Sequence, residues 1–451
     1  MVLMDRRTLA LMATIIGSGM VVLDGFVVTL ALPSIERSFH AHFSDLQWII
    51  DGFLLSLSSL ILIGGSLGDI FGRKKVYLIG LYGFTAVSLI CALAPNTSVL
   101  ILSRVLQGIF GALLVPGGLA IINTNFPKAE RGKAIGRWSA WLAFVVPIGP
   151  LLGGYIINVG SWRWIFLINL PLGIICGYLG LKYFEEGRDR EKRTIDIWGA
   201  LIAAAALGGI TYGLIEGPGD KWKAMSLVPL LAGLMLLSFF VWYESRHKDP
   251  MVRLSLFGSR NFSGANLMTF AMYGALGGFT FILPIYLQTR LGYTAFVAGL
   301  SMLPVSILLL SLSSRMGALC AKYGPRFFVT TGPLITAVAI ISLLDYGPGK
   351  SFATFLLPRT FLFGIGMALL VAPLTATVMS SVEDTNSGIA SGINNAVARV
   401  AGLIVVALLG LAGTGNTYRF GIVFCAILAA LAGLSSYFII QNRLSAKTSV
   451  S

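Results

Sequence analysis

The amino-acid sequence predicts an all-α polytopic membrane protein with fourteen transmembrane helices in a 6 + 2 + 6 arrangement. Of its 451 residues, 56% are hydrophobic and only 12% are charged, and the mean hydropathy is +0.84. A soluble protein of this size needs a more polar surface to face water. Long apolar runs also recur along the chain, and Lys and Arg gather in alternate short segments between them.

The apolar runs are each long enough to cross a bilayer as a helix, which takes about 20 residues. Basic segments at 185–193 and 244–261 separate two middle runs from six on either side. We therefore expect an N-terminal six-helix bundle in residues 1–184, two additional central helices with flanking cytoplasmic loops in 185–261, and a C-terminal six-helix bundle in 262–451. The predicted helices lie near residues 9–33, 47–67, 76–95, 98–123, 135–158, 163–182, 195–216, 223–243, 264–287, 295–315, 326–345, 353–379, 388–412 and 418–441.

The net charge of +14 follows the positive-inside pattern of membrane proteins and does not form one nucleic-acid-binding patch. The basic loops lie mainly on the side of the two termini, so we expect both termini in the cytoplasm and the chain in the inner or plasma membrane. The four Cys and three His residues have neither disulfide nor metal-ligand spacing. The sequence therefore predicts no metal or cofactor, no nucleic-acid partner, and a monomer within the lipid bilayer.

The segment between the second and third predicted helices carries an ordered group of glycines and charges. Gly65, Asp69 and Gly72 are followed directly by Arg73. Glycine lets a helix end turn sharply, and the cations keep this loop on the cytoplasmic side. An ordinary basic loop explains the cations alone, whereas the ordered pattern predicts a gating loop.

Part of this pattern recurs in the second half of the chain, which indicates an internal repeat. Repeated halves with a site near the midplane are typical of alternating-access carriers. The acid is lost in the second copy, where Ala321 replaces it. The matching positions are Gly65, Leu67, Gly72 and Lys74 in the first copy and Gly317, Leu319, Gly324 and Arg326 in the second.

Three charged residues of the predicted N-terminal bundle lie at least one helical turn inside apolar runs, where an ionised group is costly and usually marks a transport pathway. They are Asp24, Asp51 and Arg104, in the first, second and fourth predicted helices. At a rise of 1.5 Å per residue, all three lie within about 13 Å of the outer ends of these helices. We expect one ion pair plus one titratable carboxylate, with Gln107 sharing the network; the alternative is a static ion pair that only holds helices together. Low dielectric disfavours the charged form of a carboxylate, so such a group can exchange protons near neutral pH.

The fifth predicted helix contains a short run rich in proline and glycine. Proline bends a helix, and glycine admits a close neighbour, so we expect a functional kink or a tight seam there. Membrane helices also tolerate both residue types without any special role. The run contains Pro147, Gly149, Pro150, Gly153 and Gly154.

These motifs together resemble the fourteen-span drug:proton antiporters of the major facilitator superfamily. The loop of Gly65 to Arg73 is similar to the signature loop of that superfamily, and LDGFVVTLALP at 23–33 is similar to the first-span motif of the fourteen-span branch. RVLQG at 104–108, the run at 145–154 and WRWIFLINLPLG at 162–173 are similar to motifs of the fourth, fifth and sixth spans.

The resemblance implies a major facilitator fold and assigns roles to the charged residues. Asp24 and Arg104 would handle the proton, and Asp69 would belong to the gating loop. Asp51 is similar to a second-span acid of some cation exporters in the group. Phe26 and Thr29 depart from the Thr and Asn of the first-span motif.

We therefore expect a proton-coupled antiporter, not an enzyme, that exports amphipathic, often cationic or aromatic compounds by alternating access. One alternative is an exporter of a single endogenous metabolite or lipid. Another is a non-transporting sensor or membrane enzyme, which the lack of clustered His, Cys or Ser nucleophiles and of a soluble domain disfavours. Packing or lipid contact also explains each single candidate for an apolar substrate cavity, and packing is the favoured explanation for any one of them. The candidates are Phe26, Trp48, Gln107, Trp141, Phe144, Phe279 and Phe281.

Overall fold

A computed structural model describes residues 5–187, 196–247, 250–383 and 387–442. These residues fold into α-helices joined by short turns, with one π-helical turn at Phe352–Leu356. In chain order the helices are α1 (Arg6–Phe39), α2 (Phe43–Phe71), α3 (Arg73–Leu93), α4 (Thr97–Asn125), α5 (Lys128–Val159), α6 (Trp164–Leu167), α7 (Asn169–Tyr183), α8 (Ile197–Asp220), α9 (Ala224–Arg246), α10 (Arg260–Thr289), α11 (Ala295–Leu300), α12 (Leu303–Tyr323), α13 (Pro325–Ile341), α14 (Leu357–Ser380), α15 (Ser387–Leu408) and α16 (Gly413–Ile439).

Eleven helical stretches of the described residues are long and apolar enough to cross a membrane. The count rises to twelve if the two segments of α2, Phe43–Ile61 and Ile63–Phe71, which meet at 50°, form one span. Two of the fourteen predicted helices are not long and apolar enough by this measure. Their apolar parts, Ile148–Val159 of α5 and Pro325–Ile341 of α13, are shorter helical stretches. The chain is a multi-pass helical membrane protein, and the fourteen-span count is not established by helix length and composition.

The first helix is longer than the sequence predicts. Pro33 was expected at its outer end, but α1 continues six residues further, to Phe39. A helix tolerates an internal proline when neighbouring helices and local adjustments satisfy the backbone. Asp24 therefore lies close to the middle of α1, not near one end of it.

The described residues form two compact units. The first contains residues 5–251 and 284–300, and the second contains residues 252–283 and 301–442. In the first unit α2 packs closely on α4, and Gly64 permits this approach because a Cβ at this position would collide with the carbonyl oxygen of Ala112. The buried aromatic rings of Tyr77 and Phe84 lie in the same core.

The two predicted central helices, α8 and α9, form an antiparallel pair in the first unit. Gly209 of α8 and Gly233 of α9 face each other, and a Cβ at Gly209 would lie 2.5 Å from the carbonyl oxygen of Pro229. Small residues at such a contact let two membrane helices approach closely. Helix α8 also packs on α2, which places the pair beside the helix that carries Asp51.

In the second unit α13 packs on both α14 and α16, and α14 also packs on α12. Phe279 of α10 stacks on Phe363 of α14 with ring centroids 4.8 Å apart. Gly332 and Gly366 bring α13 and α14 close, since a Cβ at Gly332 would lie 2.8 Å from the carbonyl oxygen of Gly366.

Candidate functional site

Arg104 is the centre of a buried polar network in the first unit. Its Nη1 donates to Asp24 Oδ2 at 2.6 Å, and both side chains are 1% exposed. Its Nε donates to the carbonyl oxygen of Ile49 at 3.1 Å, and the guanidinium lies over the ring of Phe53, 4.3 Å from the centroid. The ion pair expected from the sequence is therefore present, and it joins α1, α2 and α4.

Gln107 extends this network to two more helices. Its Nε2 donates to Asp24 Oδ1 at 3.2 Å and to Ser88 Oγ at 2.9 Å, while its Oε1 accepts from Arg104 Nη1 at 2.5 Å. Asn169 Nδ2 donates to the same Ser88 hydroxyl at 3.2 Å. Ser88 and Asn169 were not predicted from the sequence, although Asn169 lies within the WRWIFLINLPLG motif. The result is a continuous polar chain from α1 to α7.

Asp51 stands apart from this network. It is 0% exposed, and neither of its carboxylate oxygens has a hydrogen-bond partner among the described residues. Arg104, the cation at similar depth, pairs with Asp24 instead. The first unit thus combines one saturated ion pair with one buried carboxylate that lacks a partner.

The predicted gating loop is the junction between α2 and α3. Asp69 in the last turn of α2 accepts from Arg73 Nε at 2.9 Å, and the two side chains are 20% and 23% exposed. Arg73 Nη1 also donates to Thr124 Oγ1 of α4 at 3.3 Å. Between the two helices, Gly72 has a φ of 109°, a conformation that favours glycine. The junction therefore ties α2, α3 and α4 together through one arginine.

A carboxylate that the sequence did not reveal closes this junction. Glu186 Oε1 accepts from the backbone N–H of Lys74 at 3.0 Å, and a Cβ at Gly72 would lie 2.7 Å from the same oxygen. A carboxylate at the N-terminus of a helix is favoured by the helix dipole. Lys74 Nζ in turn donates to the carbonyl oxygens of Leu181 and Phe184, at 2.7 and 3.0 Å, at the C-terminal end of α7.

The second unit repeats this arrangement, which confirms the internal repeat predicted from the sequence. Gly324 between α12 and α13 has a φ of 86°, and Asn442 Oδ1 accepts from the backbone N–H of Arg326 at 3.0 Å. A Cβ at Gly324 would lie 2.6 Å from that same oxygen. The acceptor is a neutral amide here and a carboxylate in the first unit.

The glycines of the predicted antiporter motif form close contacts on two sides of α5. A Cβ at Gly149 would lie 3.4 Å from Phe26 Cβ on α1, and Gly153 faces Val27 of α1 in the same way, at 2.5 Å. On the other side, a Cβ at Gly154 would lie 2.7 Å from the carbonyl oxygen of Ala295 on α11, and Pro150 contacts Gly299 of that helix. The side chain of Pro147 lies outside the described ones.

The aromatic candidates for a substrate cavity occupy different environments. Phe26 is half-buried and packs toward α5. Trp141 and Phe144 are exposed on α5 and form an edge-to-face pair at 5.9 Å. Phe279 and Phe281 are buried within the second unit, so packing accounts for both, and a cavity role for any of these residues stays a prediction.

Trp48 differs from the other candidates because it has a specific polar partner. Its Nε1 donates to Glu216 Oε1 of α8 at 2.7 Å. Its ring lies 6.1 Å from the ring of Tyr212 on the same helix. Trp48 therefore links the helix of Asp51 to the central pair.

The second unit contains a polar cavity of about 70 Å³ that the sequence did not reveal. Asn394 on its wall donates to Thr269 Oγ1 at 2.7 Å and to Asn266 Oδ1 at 3.2 Å. Tyr273 of α10, Thr375 of α14 and further polar side chains of α15 also line the cavity, together with apolar side chains of α14 and α15. Among the described residues, no group of three or more His, Cys, Asp or Glu side chains is arranged to hold a metal ion.

Comparison with known proteins identifies the family. The family model of the major facilitator superfamily matches residues 14–406, with a second match at 266–449. The chain belongs to the major facilitator superfamily. It is therefore a multi-pass membrane transporter, and the predicted superfamily is confirmed.

Two curated relatives are exporters or resistance proteins by name. The chain is 34% identical over 406 residues to the multidrug resistance protein Stp of Mycobacterium tuberculosis (strain CDC 1551 / Oshkosh), a match that covers 90% of this chain and 75% of the relative. It is 30% identical over 407 residues to the tetracenomycin C resistance and export protein of Streptomyces glaucescens, covering 89% and 74%.

A solved structure supports the fold. The chain matches the crystal structure of a D-xylose-proton symporter with a TM-score of 0.69 and 16% identity over 97% of this chain and 99% of that one. At this level of identity the likeness concerns the fold alone, which is the helical fold of major facilitator transporters.

Proposed function

We propose that this transporter is a proton-coupled antiporter that exports amphipathic, often cationic or aromatic compounds from the cytoplasm by alternating access. The observation that supports it most is the buried network of Asp24, Arg104 and Gln107, in which an ionisable carboxylate is held between two donors inside the membrane-spanning part of the chain. Charged groups kept at such a depth usually belong to a transport pathway. The named relatives, a multidrug resistance protein and an antibiotic export protein, agree with an export role.

In this mechanism the proton and the substrate compete through charge. A proton arriving from outside binds Asp24 or Asp51 and removes its negative charge, which weakens the binding of a cationic substrate. A neutral Asp24 also attracts Arg104 less, so that the contact between α1 and α4 loosens and the return to the inward-open state becomes easier. Release of the proton to the cytoplasm restores the ion pair and the affinity for the next substrate.

We further propose the fourteen-span form of this family, with both termini in the cytoplasm. Each of the fourteen predicted spans overlaps a helix of the described residues, including α5 and α13, whose apolar helical stretches are shorter than those of the other spans. The 6 + 2 + 6 arrangement is supported by α8 and α9, which pair with each other and, within the first unit, pack on the helices before them mainly through the contact of α8 with α2.

A second candidate function is export of a single compound. The tetracenomycin C relative is named for one antibiotic, which favours a dedicated exporter over a multidrug one. An accumulation assay across unrelated dyes separates the two: a multidrug exporter lowers the accumulation of several of them, and a dedicated exporter lowers at most one.

The deciding experiment measures proton movement driven by substrate. The purified protein is placed in proteoliposomes under an imposed pH gradient, and proton release is followed while cations, zwitterions and neutral dyes are added in turn. We expect release with several amphipathic cations. Transport of these compounds without any proton movement, or the same rate without a pH gradient, contradicts proton antiport.

A further inference from the structure

The seam between α2 and the first central helix, α8, is defined by three contacts. Trp48 contacts both Glu216 and Tyr212, and Leu55 lies beside Gly208, with its Cδ2 3.9 Å from a Cβ placed there. Residue numbers rise along α2 while those of their partners fall along α8, so the two helices run antiparallel. These contacts fix which residues of the two helices lie at the same level.

Two buried polar side chains lie between these contacts. Asp51 follows Trp48 by three residues and precedes Leu55 by four, which places it on the side of α2 that meets α8. Thr211 lies between Gly208 and Tyr212, at the level of Asp51 in the antiparallel register. Both residues are 0% exposed, and within the described part of the chain the Asp51 carboxylate and the Thr211 hydroxyl have no hydrogen-bond partner.

Buried polar atoms without partners are costly and call for a ligand or a function. The other charged groups around this seam are already engaged. Arg104 is bonded to Asp24 and to the backbone of Ile49, and Glu216 accepts the indole N–H of Trp48. Neither group is left to pair with Asp51, whose carboxyl group can therefore ionise against an incoming cation, and the nearby rings of Trp48 and Tyr212 have faces that attract cations.

We propose that the α2–α8 seam contains a subsite for the cationic group of an organic substrate, with Asp51 as the counter-charge, Thr211 as a polar contact, and Trp48 and Tyr212 as its aromatic wall. This inference rests on the proposed export function and gives the central helices a part in substrate selection. An inorganic divalent cation fits this seam poorly, because it needs six or more oxygen ligands. One carboxylate and one hydroxyl beside two aromatic rings suit an alkyl- or arylammonium group better. The helices must part slightly to admit such a group, since Asp51 is fully covered.

The test measures binding of tetraphenylphosphonium to the purified full-length protein in detergent, by equilibrium dialysis. Asp51→Asn is expected to weaken binding more than tenfold, and Thr211→Val about tenfold. Trp48→Leu is expected to weaken it about fivefold, whereas Trp48→Phe keeps an aromatic face and changes it less than twofold. The matched control is Thr14→Val, because Thr14 is equally buried but its hydroxyl is bonded to the carbonyl oxygen of Leu11.

Efflux of a neutral dye separates this role from a structural one. In the Thr211→Val protein, tetraphenylphosphonium binding is expected to fall by a larger factor than Nile red efflux, and the melting temperature is expected to stay within a few degrees of the wild type. The subsite is excluded if the wild type does not bind tetraphenylphosphonium, if the Asp51 and Thr211 variants bind it normally, or if they lose cation binding and Nile red efflux in equal measure. The proposed function fails separately: cation binding that depends on Asp51 and Thr211, without substrate-driven proton release, supports the subsite and contradicts antiport.

Discussion

Asp24 and Asp51 are both buried acids of the first unit, yet their surroundings differ completely. Each oxygen of Asp24 accepts from a side-chain donor, one on Arg104 and one on Gln107. Asp51 has no such donor among the described residues. A paired charge can be retained in a low-dielectric interior, whereas an unpaired one cannot be held there at low cost. The two acids are therefore suited to different tasks: Asp24 to reversible pairing with Arg104, and Asp51 to an incoming cation.

Replacing Asp24 by Asn tests the proton role directly. The amide has nearly the same shape but does not titrate, so we expect substrate-driven proton release in proteoliposomes to fall below a tenth of the wild-type rate. Uphill efflux is expected to be lost with it, while binding of a neutral dye changes less than threefold. A variant that still drives uphill efflux with a normal pH dependence places the proton site elsewhere, and Asp51 is then the next candidate.

Removing the cation of the same pair is expected to be more damaging to the fold. Arg104→Ala leaves the Asp24 carboxylate buried without its counter-charge, a change that typically costs about 3–5 kcal/mol. We expect a lower melting temperature in detergent together with loss of transport. Asp24→Asn combined with Arg104→Ala removes the stranded charge, so the double variant should be more stable than Arg104→Ala alone. Equal stability of these two variants means that the Asp24 carboxylate left without its counter-charge does not destabilise the fold.

The charged members of this network and Gln107 were predicted from the sequence, whereas Ser88 and Asn169 were not. A charge inside an apolar run must find a partner, so Asp24 and Arg104 are recognisable from hydropathy alone. Ser88 and Asn169 are small polar residues that membrane helices also contain for local hydrogen bonding, and their sequence positions do not show that the Ser88 hydroxyl accepts from both Gln107 and Asn169. Their convergence depends on how α3 and α7 are rotated against α4.

At the scale of elements, the α2–α3 junction is expected to control exchange between conformations. Asp69→Asn weakens the hold on Arg73, which also contacts Thr124, without touching the buried network of Arg104. We expect turnover to fall at least fivefold while the binding constant for tetraphenylphosphonium changes less than twofold. Reduced binding with normal rates of conformational exchange, followed by fluorescence of a labelled junction, assigns Asp69 to the substrate site instead.

The two junction glycines provide a paired test of the internal repeat. Ala at Gly72 or Gly324 must adopt a positive φ and displace the side chain of Glu186 or Asn442, at a cost of about 1–3 kcal/mol each. We expect both variants to melt at a lower temperature than the wild type. The control is Gly132→Ala in α5, where a Cβ meets nothing within 4 Å and the change should be neutral or slightly stabilising. If the two junction variants melt like this control, the glycines are not required by the backbone.

Considered as a whole molecule, the fold follows from hydropathy, but its tertiary grouping does not. Alternating apolar and basic segments predict the order of the helices, and the repeated glycines predict that one junction occurs twice. The predicted number of fourteen spans compares with eleven or twelve helical stretches of the described residues that are long and apolar enough to cross a membrane. The grouping of residues 284–300 with the first unit could not be predicted, because it depends on the contact of Gly154 with Ala295 and on the hydrogen bond from Gln288 Nε2 to the carbonyl oxygen of Leu30. The end of α1 beyond Pro33 likewise depends on packing.

The orientation of the whole chain in the membrane can be tested by labelling single cysteines. If both termini are cytoplasmic and fourteen helices cross, Lys221 and Lys350 face the outside, while Lys75 and Lys322 face the cytoplasm; all four side chains are exposed. Single cysteines at these positions are introduced after the four native cysteines, which are free and buried, have been replaced. A membrane-impermeant maleimide added to intact cells should label positions 221 and 350 only, and all four positions once the cells are opened. Labelling of positions 75 and 322 instead of 221 and 350 in intact cells shows that the orientation is the reverse of the predicted one. Labelling of 75 together with 350 but not 221 shows that an even number of helices cross the membrane between positions 75 and 350, which is incompatible with the fourteen predicted spans.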